Sequence, residues 1–300
     1  MTGYSHPVYA ASLREFGTPL ALPASGGWLL VRQIPDSDWR DAMGCYPLFC
    51  CQDWSQLSRD LEPLRGTLVS LTLVSDPFGN YDEGLLRHCF DRVLAFKEHF
   101  VADLTQPVNE QAPKYHRKNA RRALRDATIE ILSHPVDALN DWDRLYAHLV
   151  ARHQIKGIRA FSHAAFEAQL QVPGMVALRA VAHSETVGMH LWYVQGDVAY
   201  SHLSAYNDVG YDLQVSYGLN WVANEHFAGK LRWLVLGAGA GTSANSVSGL
   251  TEYKRGWSTG TRQVFFCGRT LDPERYQALT KRHHYPPARY FPAYRANEFS

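Results

Sequence analysis

Hydrophobic residues recur along the first third of the chain in two different rhythms, and each rhythm predicts a type of element. Residues 29–32 and 68–74 are short runs of leucine and β-branched residues between turn-forming groups, which is typical of strands. Residues 81–104 carry apolar side chains three and four positions apart, which predicts a helix with one buried face. These apolar side chains are Leu85, Cys89, Val93 and Phe96.

A polar segment and a basic segment come next. Residues 106–113 contain two prolines and interrupt the periodicity, which predicts a linker between two halves. Six basic side chains follow with no acidic residue until Asp126: Lys114, Arg117, Lys118, Arg121, Arg122 and Arg125. On a helix, Arg117, Arg121 and Arg125 would form one stripe. This stripe is either a solvated helix face or a surface that binds a nucleotide, a phosphorylated substrate or an RNA backbone.

From residue 128 onward the order of the elements is informative. The pattern predicts a strand, two helices, an antiparallel meander of three strands, a helix, a strand, a short helix and a last strand. Their predicted bounds are 128–132, 139–153, 163–170, 175–182, 187–194, 198–206, 212–227, 232–236, 249–255 and 263–267. No short internal repeat interrupts this order, so a solenoid is not expected.

Composition narrows the class of protein. The 300 residues are 46% hydrophobic and 20% charged, so a sizeable hydrophobic core is expected. The net charge is +1, so the protein as a whole is not expected to attract nucleic acid or anionic membranes electrostatically. No apolar stretch of about 18 residues occurs, which argues against membrane insertion. Five irregularly spaced cysteines favour reduced thiols and a cytoplasmic location. Neither the pair Cys50 and Cys51 nor the pair His283 and His284 has zinc-site spacing, so no metal is expected.

Three segments together resemble a known superfamily. They read GMHLWYVQGDVAYSHLSAYND, LRWLVLGAGAG and GLTEYKRGWSTGTRQVFFCGR, and the basic segment KYHRKNARRALRDA precedes them. They resemble the C-terminal domain of GNAT acyltransferases of the FemAB-like, peptidoglycan-bridge group. The resemblance implies a mixed α/β fold of two tandem GNAT-like domains, each a mostly antiparallel sheet flanked by helices. It places a degenerate domain at 1–113, joined by 271–300, and the acyltransferase domain at 114–270.

Acyl transfer to an amine needs an oriented carbonyl, stabilisation of its oxyanion and a route for the amine proton. By resemblance, the acyl donor lies between the strands at 198–206 and 232–236. On the first of these strands Tyr200, His202, Ser204 and Tyr206 alternate, so they are expected on one face. His202 would relay the amine proton, with Ser204 beside it and Tyr206 or Tyr217 as general acid. A packed, hydrogen-bonded His202 is the structural alternative.

Two loops and one helix would hold the substrates. In GNAT enzymes the coenzyme A pyrophosphate binds a Q/R-x-x-G-x-G/A loop. The matching residues 207–212, which begin with Asn207, keep only Gly210, and Asp212 at the third key position would add negative charge beside a phosphate. We therefore expect coenzyme A to bind weakly. Residues 237–241, with Gly237 and Gly239, predict a close backbone approach to a ligand or a neighbouring strand. Lys254 matches the lysine of an FK motif, which implies that it contacts a substrate phosphate or carboxylate, with Arg255 beside it. Alternatively, Lys254 complements the helix dipole.

Three functions follow from these observations. The first is an N-acyltransferase that moves an acyl group from acyl-CoA or an acyl-carrier thioester to the amine of an amino-sugar or amino-acid-like acceptor. The second is a FemAB-like aminoacyl transferase that uses charged tRNA. The third is a non-catalytic GNAT-fold binding module. The sequence leaves the oligomeric state open.

Overall fold

The computed structural model describes residues 1–239, 249–282 and 290–296. Its strands are β1 Thr18–Leu22, β2 Gly27–Gln33, β3 Arg40–Gly44, β4 Ser70–Val74, β5 Arg92–Asp103, β6 Thr128–Ile131, β7 Met175–Ala182, β8 Glu185–Gln195, β9 Val198–Tyr206, β10 Trp233–Ala238 and β11 Gly260–Thr270. Its α-helices are α1 Pro7–Ser12, α2 Leu57–Leu61, α3 Glu83–Cys89, α4 Val108–Gln111, α5 Lys114–Asp126, α6 Leu139–His153, α7 His163–Leu170, α8 Asp208–Asp212, α9 Val215–Phe227, α10 Gly249–Arg255 and α11 Pro273–Arg282. The mixed α/β fold class is confirmed.

The chain divides into two compact units. The central unit is Lys97–Gln263 with Met1–Gly3, and the flanking unit is Tyr4–Phe96 with Val264–Ser300. The divisions fall within β5 and within β11, so they differ from the predicted boundaries after residues 113 and 270. The first division lies earlier because residues 99–103 already pair with β10 of the central unit.

The flanking unit has the strand order β1-β2-β3-β4-β11. All neighbours are antiparallel except β3 and β4, which are parallel. Its core includes Trp54, Leu71, Phe90 and Cys267. Two residues from the C-terminal segment, Leu279 and Tyr294, pack with Ile34 and Val69 in a second cluster.

A buried ion pair fastens the C-terminal segment of the flanking unit. The Arg295 guanidinium donates to both oxygens of Asp41, from Nε at 2.5 Å and from Nη2 at 2.9 Å. The two side chains are 5% and 1% exposed. The Tyr294 hydroxyl donates a hydrogen bond to Asp41 and shares another with the Ser70 hydroxyl. Residues far apart in the sequence therefore share one desolvated polar network.

The central unit has the strand order β5-β10-β9-β8-β7-β6, with β9 and β10 parallel and every other pair antiparallel. Helices α5 and α9 cover one face, where Trp192 of β8 packs on Phe227. Helices α6 and α7 cover the other face, where the Tyr193 hydroxyl donates to the Gln169 carbonyl. Trp192 and Tyr193 are adjacent on one strand and so mark the two faces.

The predicted helix over residues 81–104 is wrong beyond its first part. Asp82 caps α3 by accepting from the Leu85 N–H, and the helix ends at Cys89 because Phe90 adopts an extended backbone. The rest of the segment is β5. Phe90 and Val93 are buried in the flanking core, while Phe100 and Ala102 are buried in the central core. The predicted linker at 106–113 contains the short helix α4, whereas most later elements match their predicted bounds closely.

Candidate functional site

Strands β9 and β10 pair over only three residues each. Residues 198–200 lie beside residues 233–235, and over the described residues no ladder pair joins the two strands beyond Tyr200 and Val235. Both strands nevertheless continue, to Tyr206 and Ala238. We call this opening the β9–β10 fork.

A β-bulge lies next to the end of the shared ladder in each strand. In β9 the register with β8 passes from Leu203 to Ser201, so His202 is the extra residue. In β10 the register with β5 passes from Val235 to Gly237, so Leu236 is the extra residue. A bulge bends its strand and increases the local twist. The two bulges therefore account for the divergence that opens the fork.

The bulge at His202 also divides the row of polar side chains on β9. Tyr206 lies opposite Gly188, where an added Cβ would come within 2.8 Å of Val215 of α9, so Tyr206 is on the α9 face. His202 packs against Tyr193 on the α7 face, with the ring centres 4.7 Å apart and the ring planes tilted by 40°. The expectation that the whole row shares one face is therefore wrong, because strict alternation does not survive a bulge. Ser204 joins Tyr206 on the α9 face, and Tyr200, opposite Tyr193, joins His202.

His202 has the surroundings of a packed core residue. It is 8% exposed, and its Nε2 lies 3.1 Å from the Gln169 Oε1 of α7. Burial lowers the pKa of His202 to about 3. An imidazole with that pKa stays neutral near pH 7 and is a weak proton acceptor. The surroundings favour the structural interpretation of His202 over the proton relay.

Tyr206 belongs to a partly buried group of polar side chains on the α9 face. Its hydroxyl shares a hydrogen bond with His190 Nε2, and it is close enough to Ser204 for a side-chain hydrogen bond. Burial raises the pKa of Tyr206 and lowers that of His190 to about 3. Both are therefore neutral near pH 7, and Tyr206 keeps its proton. His190 was missed from the sequence, although a histidine inside the apolar run of β8 was a usable signal.

Helix α10 brings two side chains to the same region. The Tyr253 hydroxyl donates to the Ser216 carbonyl at 2.8 Å and shares a hydrogen bond with the Asn220 amide. Lys254 Nζ donates to the Ala238 carbonyl at the end of β10, at 2.7 Å. Burial, and then Lys97, lowers the pKa of Lys254 to about 8. Tyr217, predicted as a general acid, packs edge-on against Tyr253 at 5.0 Å.

Two glycines let α10 approach the end of β10. Gly237 has a φ of +76°, and an added Cβ would lie 3.2 Å from Lys254 Nζ. A Cβ at Gly239 would lie 2.5 Å from the Thr251 hydroxyl. The predicted close backbone approach is therefore to a neighbouring helix. Residues 240 and 241 of the same loop lie outside the described residues. Arg255 forms an exposed ion pair with Glu252 and is not brought to Lys254 Nζ.

The loop after β9 uses its own backbone groups. The Asn207 side chain accepts from the Gly210 N–H at 2.9 Å, and the Asn207 carbonyl accepts from the Tyr211 N–H at 3.0 Å. A Cβ at Gly210 would lie 2.1 Å from the Val187 carbonyl, so this glycine is required for packing. The Asp208 carboxylate of the same loop forms an ion pair with Arg152 of α6 at 3.3 Å. The engagement of these two N–H groups disfavours binding of a pyrophosphate at this loop.

The basic stripe on α5 is partly engaged by the protein itself. Arg117 donates to the Asn109 carbonyl at 2.5 Å, and Arg125 binds Asp126 through two hydrogen bonds. Lys114, Lys118 and Arg121 are exposed, and none of the three forms an ion pair among the described residues. The opposite side of α5 is buried against α9. The surface of α5 therefore presents fewer unpaired basic side chains to solvent than the sequence predicted.

Two searches of the described residues bear on other classes of site. Within residues 1–239, 249–282 and 290–296, no group of three or more histidine, cysteine, aspartate or glutamate side chains is arranged to hold a metal ion. The pair His283 and His284 lies outside these ranges. No helix in the same ranges has the length and apolar character needed to cross a membrane.

Comparison with solved structures gives the fold a precedent. FemX superimposes with a TM-score of 0.65 at 12% identity, over 91% of this chain and 93% of FemX. The C-terminal DUF2156 domain of a protein described as a lysylphosphatidylglycerol synthetase, from Agrobacterium fabrum, gives 0.64 at 14% identity, over 90% and 88% of the two chains. L-PGS from Bacillus licheniformis gives 0.56 at 13% identity, over 88% and 92%.

No protein-family model and no curated protein matches the sequence. FemX is a FemABX-family protein with a GNAT fold. The chain therefore has a GNAT fold similar to that of FemX, and this is the fold that its sequence predicted.

Proposed function

We propose that the protein transfers an acyl or aminoacyl group from an ester or thioester donor to an amine, at the β9–β10 fork. The observation that carries the proposal is the fork itself. Two bulges end the ladder between parallel strands inside a core, which leaves main-chain groups of β9 without a β10 partner. Main-chain N–H groups fixed in position are suited to a developing oxyanion.

The reaction would proceed by direct attack. The amine nitrogen forms a bond to the carbonyl carbon, and the carbonyl oxygen becomes an oxyanion held by the unpaired edge of β9. The carbon–oxygen or carbon–sulfur bond to the leaving group then breaks. Tyr206 donates its proton to the leaving group and regains one from the nitrogen, so one proton passes in total from amine to leaving group. Because burial raises the pKa of Tyr206, its hydroxyl carries a proton at neutral pH before the donating step.

The loop after β9 favours an aminoacyl ester over coenzyme A as donor. Its Gly210 and Tyr211 N–H groups are engaged within the loop, so they are not available to bind a pyrophosphate. The name of the Agrobacterium neighbour refers to an aminoacylated lipid, lysylphosphatidylglycerol, which supports aminoacyl chemistry on this fold. We therefore place a charged tRNA or another aminoacyl ester before acyl-CoA, an order opposite to the one favoured by the sequence. The acceptor class remains an amine of an amino-sugar or amino-acid-like compound.

A donor-consumption assay tests this function. The protein is incubated with radiolabelled aminoacyl-tRNA or with acetyl-coenzyme A, each with a panel of amino sugars and amino acids, and amide formation is followed in single turnovers. Loss of the Tyr206 hydroxyl in Tyr206→Phe should slow transfer by roughly a hundredfold, the lower end of general acid–base effects. The matched control is Tyr193→Phe, which removes a buried hydroxyl from the opposite face.

Three outcomes would contradict parts of the proposal. Equal single-turnover rates in folded Tyr206→Phe and the unmodified protein would remove Tyr206 from the mechanism. Tight coenzyme A binding by calorimetry would overturn the order of donors. If no donor–acceptor pair yields an amide, the result would favour the non-catalytic binding module.

A further inference from the structure

His190 is an enclosed polar side chain of β8 to which the reaction above gives no role. It is 3% exposed and lies in register with Ser204 of β9 on one side and with Leu178 of β7 on the other. Its Nε2 shares a hydrogen bond with the Tyr206 hydroxyl, and the two ring centres are 5.7 Å apart. Among the described residues, its imidazole has no other hydrogen-bond partner. Any effect of His190 on transfer must therefore pass through Tyr206.

Only one ring nitrogen of His190 carries a proton. Burial lowers the pKa of His190 to about 3, so near pH 7 the imidazole has one N–H donor and one bare acceptor nitrogen. Nδ1 is enclosed and has no partner in the part of the chain that the structure describes. A proton on Nδ1 would thus be a buried donor without an acceptor, an arrangement that proteins rarely contain. The form with the proton on Nε2 is also the more stable tautomer of a free neutral histidine side chain. Both considerations place the proton on Nε2 and leave Nδ1 bare.

This tautomer fixes the direction of the hydrogen bond to Tyr206. Nε2–H donates and the Tyr206 oxygen accepts, so the Tyr206 proton is not used on His190. That proton points instead to another acceptor, which is Ser204, close enough for a side-chain hydrogen bond, or a bound substrate. Ser204 and Tyr206 are partly exposed, whereas His190 is enclosed. The Tyr206 proton is therefore directed away from the protein interior.

We propose that His190 is a positioning residue for transfer. Its Nε2–H holds the Tyr206 oxygen, directs the Tyr206 proton toward the leaving group and stabilises the phenolate that forms when this proton leaves. The Tyr206 O–H bond breaks as the proton bonds to the leaving-group oxygen or sulfur, and a proton from the amine later restores the hydroxyl. His190 keeps its own proton throughout. A hydrogen bond to an ionised acceptor is stronger than one to a neutral acceptor, so His190 stabilises the phenolate more than the resting hydroxyl.

NMR of the full chain tests the direction of the hydrogen bond without any substrate. In protein labelled with isotopic nitrogen in histidine, protonated and bare ring nitrogens resonate at well-separated frequencies, and His190→Gln identifies the His190 signals by removing them. At pH 7 we expect a protonated Nε2 and a bare Nδ1. Tyr206→Phe should shift the Nε2–H signal because it removes the acceptor. The matched control is Tyr193→Phe, which removes a buried hydroxyl from the opposite face and should leave that signal in place. A protonated Nδ1, or an Nε2 signal unchanged by Tyr206→Phe, would overturn the inference.

Single-turnover transfer tests the positioning role, which rests on the proposed function. His190→Leu removes the donor and should slow transfer roughly tenfold, the effect of losing one hydrogen bond to a charged acceptor. His190→Gln keeps an N–H donor and should recover part of the rate, whereas His153→Leu, at an exposed position of α6, should transfer like the unmodified protein.

Two results separate this inference from the proposed function. Equal transfer rates in folded His190→Leu and His190→Gln, with folding checked by urea titration, would refute the positioning role while leaving the function in place. An Nε2–H tautomer bonded to Tyr206, in a protein that transfers no acyl group, would count against the proposed function and support the assigned hydrogen bond.

Discussion

Replacing His202 by glutamine should make the free energy of unfolding depend less steeply on pH under acidic conditions. His202 is 8% exposed, and burial lowers its pKa from 6.5 to about 3. The folded protein therefore keeps this imidazole neutral, whereas the unfolded chain takes up a proton once the pH falls below about 6.5. The contribution of His202 to stability is complete above about pH 6.5 and is lost progressively as the pH falls from there toward about 3.

The size of the effect follows from linkage. One proton bound only by the unfolded chain changes the free energy of unfolding by about 1.4 kcal/mol per pH unit. Between pH 6.5 and pH 5 His202 should thus account for about 2 kcal/mol of lost stability. Glutamine cannot take up this proton, and its side-chain amide can still donate to Gln169 as His202 Nε2 does. The substitution should therefore remove the slope while costing less at neutral pH than alanine would.

The measurement is urea unfolding of the full chain at intervals between pH 4.5 and 7.5, followed by tryptophan fluorescence. The plot of unfolding free energy against pH should be shallower for His202→Gln than for the unmodified protein, by close to one proton. His153→Gln is the matched control, because His153 is exposed at the end of α6 and water surrounds it in both states. Its slope should equal that of the unmodified protein.

Equal slopes for His202→Gln and the unmodified protein would refute the reasoning. They would mean that His202 binds its proton equally well in the folded state and so is not held in a desolvated site. If His202→Gln instead shows the expected shallower slope together with a hundredfold loss of single-turnover rate, His202 would return to the mechanism, and a purely structural role for it would be contradicted.

Two further predictions concern other parts of the chain. Arg295→Met should lower the free energy of unfolding by about 3 to 5 kcal/mol, because it leaves the Asp41 carboxylate buried without its bidentate partner; urea titration checks this, and a loss below about 1 kcal/mol would contradict it. Replacing Lys114, Lys118 and Arg121 together by glutamine should weaken tRNA binding and make its affinity depend less steeply on salt concentration. The control is a variant in which three exposed basic side chains outside α5 are replaced by glutamine. An unchanged affinity and salt slope in gel-shift titrations would leave α5 as a solvated face.

Much of the central unit was predictable because its turns and periodicities agree with one another. The predicted bounds of the two helices before the meander, of β7, of β9 and of α10 match the structure. In these segments Gly, Asp, Ser and Asn residues mark ends at which the apolar rhythm also stops. The resemblance to the FemAB-like group, drawn from the same segments, identified the fold correctly.

The failures came where one sequence pattern is compatible with two structures. Spacings of three and four residues in 81–104 suit a helix, but from Arg92 the segment is a strand whose residues are buried in two separate cores. The face of each β9 side chain depends on the extra residue His202, and a bulge has no signature in an isolated sequence.

The flanking unit is made of two segments that are far apart in the sequence, and this affects how it folds during synthesis on the ribosome. Residues 4–96 emerge first, yet β4 receives its neighbour β11 only after the whole central unit has been made. At 5 to 20 residues per second this interval lasts roughly 10 to 30 s. Throughout it, one edge of β4 lacks its neighbouring strand, and the Asp41 carboxylate lacks the Arg295 guanidinium and, of the described residues, has only Arg32 as a cationic partner. Nascent chains should therefore be most prone to misassociation at this stage, and a chaperone that shields that edge would be most effective before residue 264 is translated.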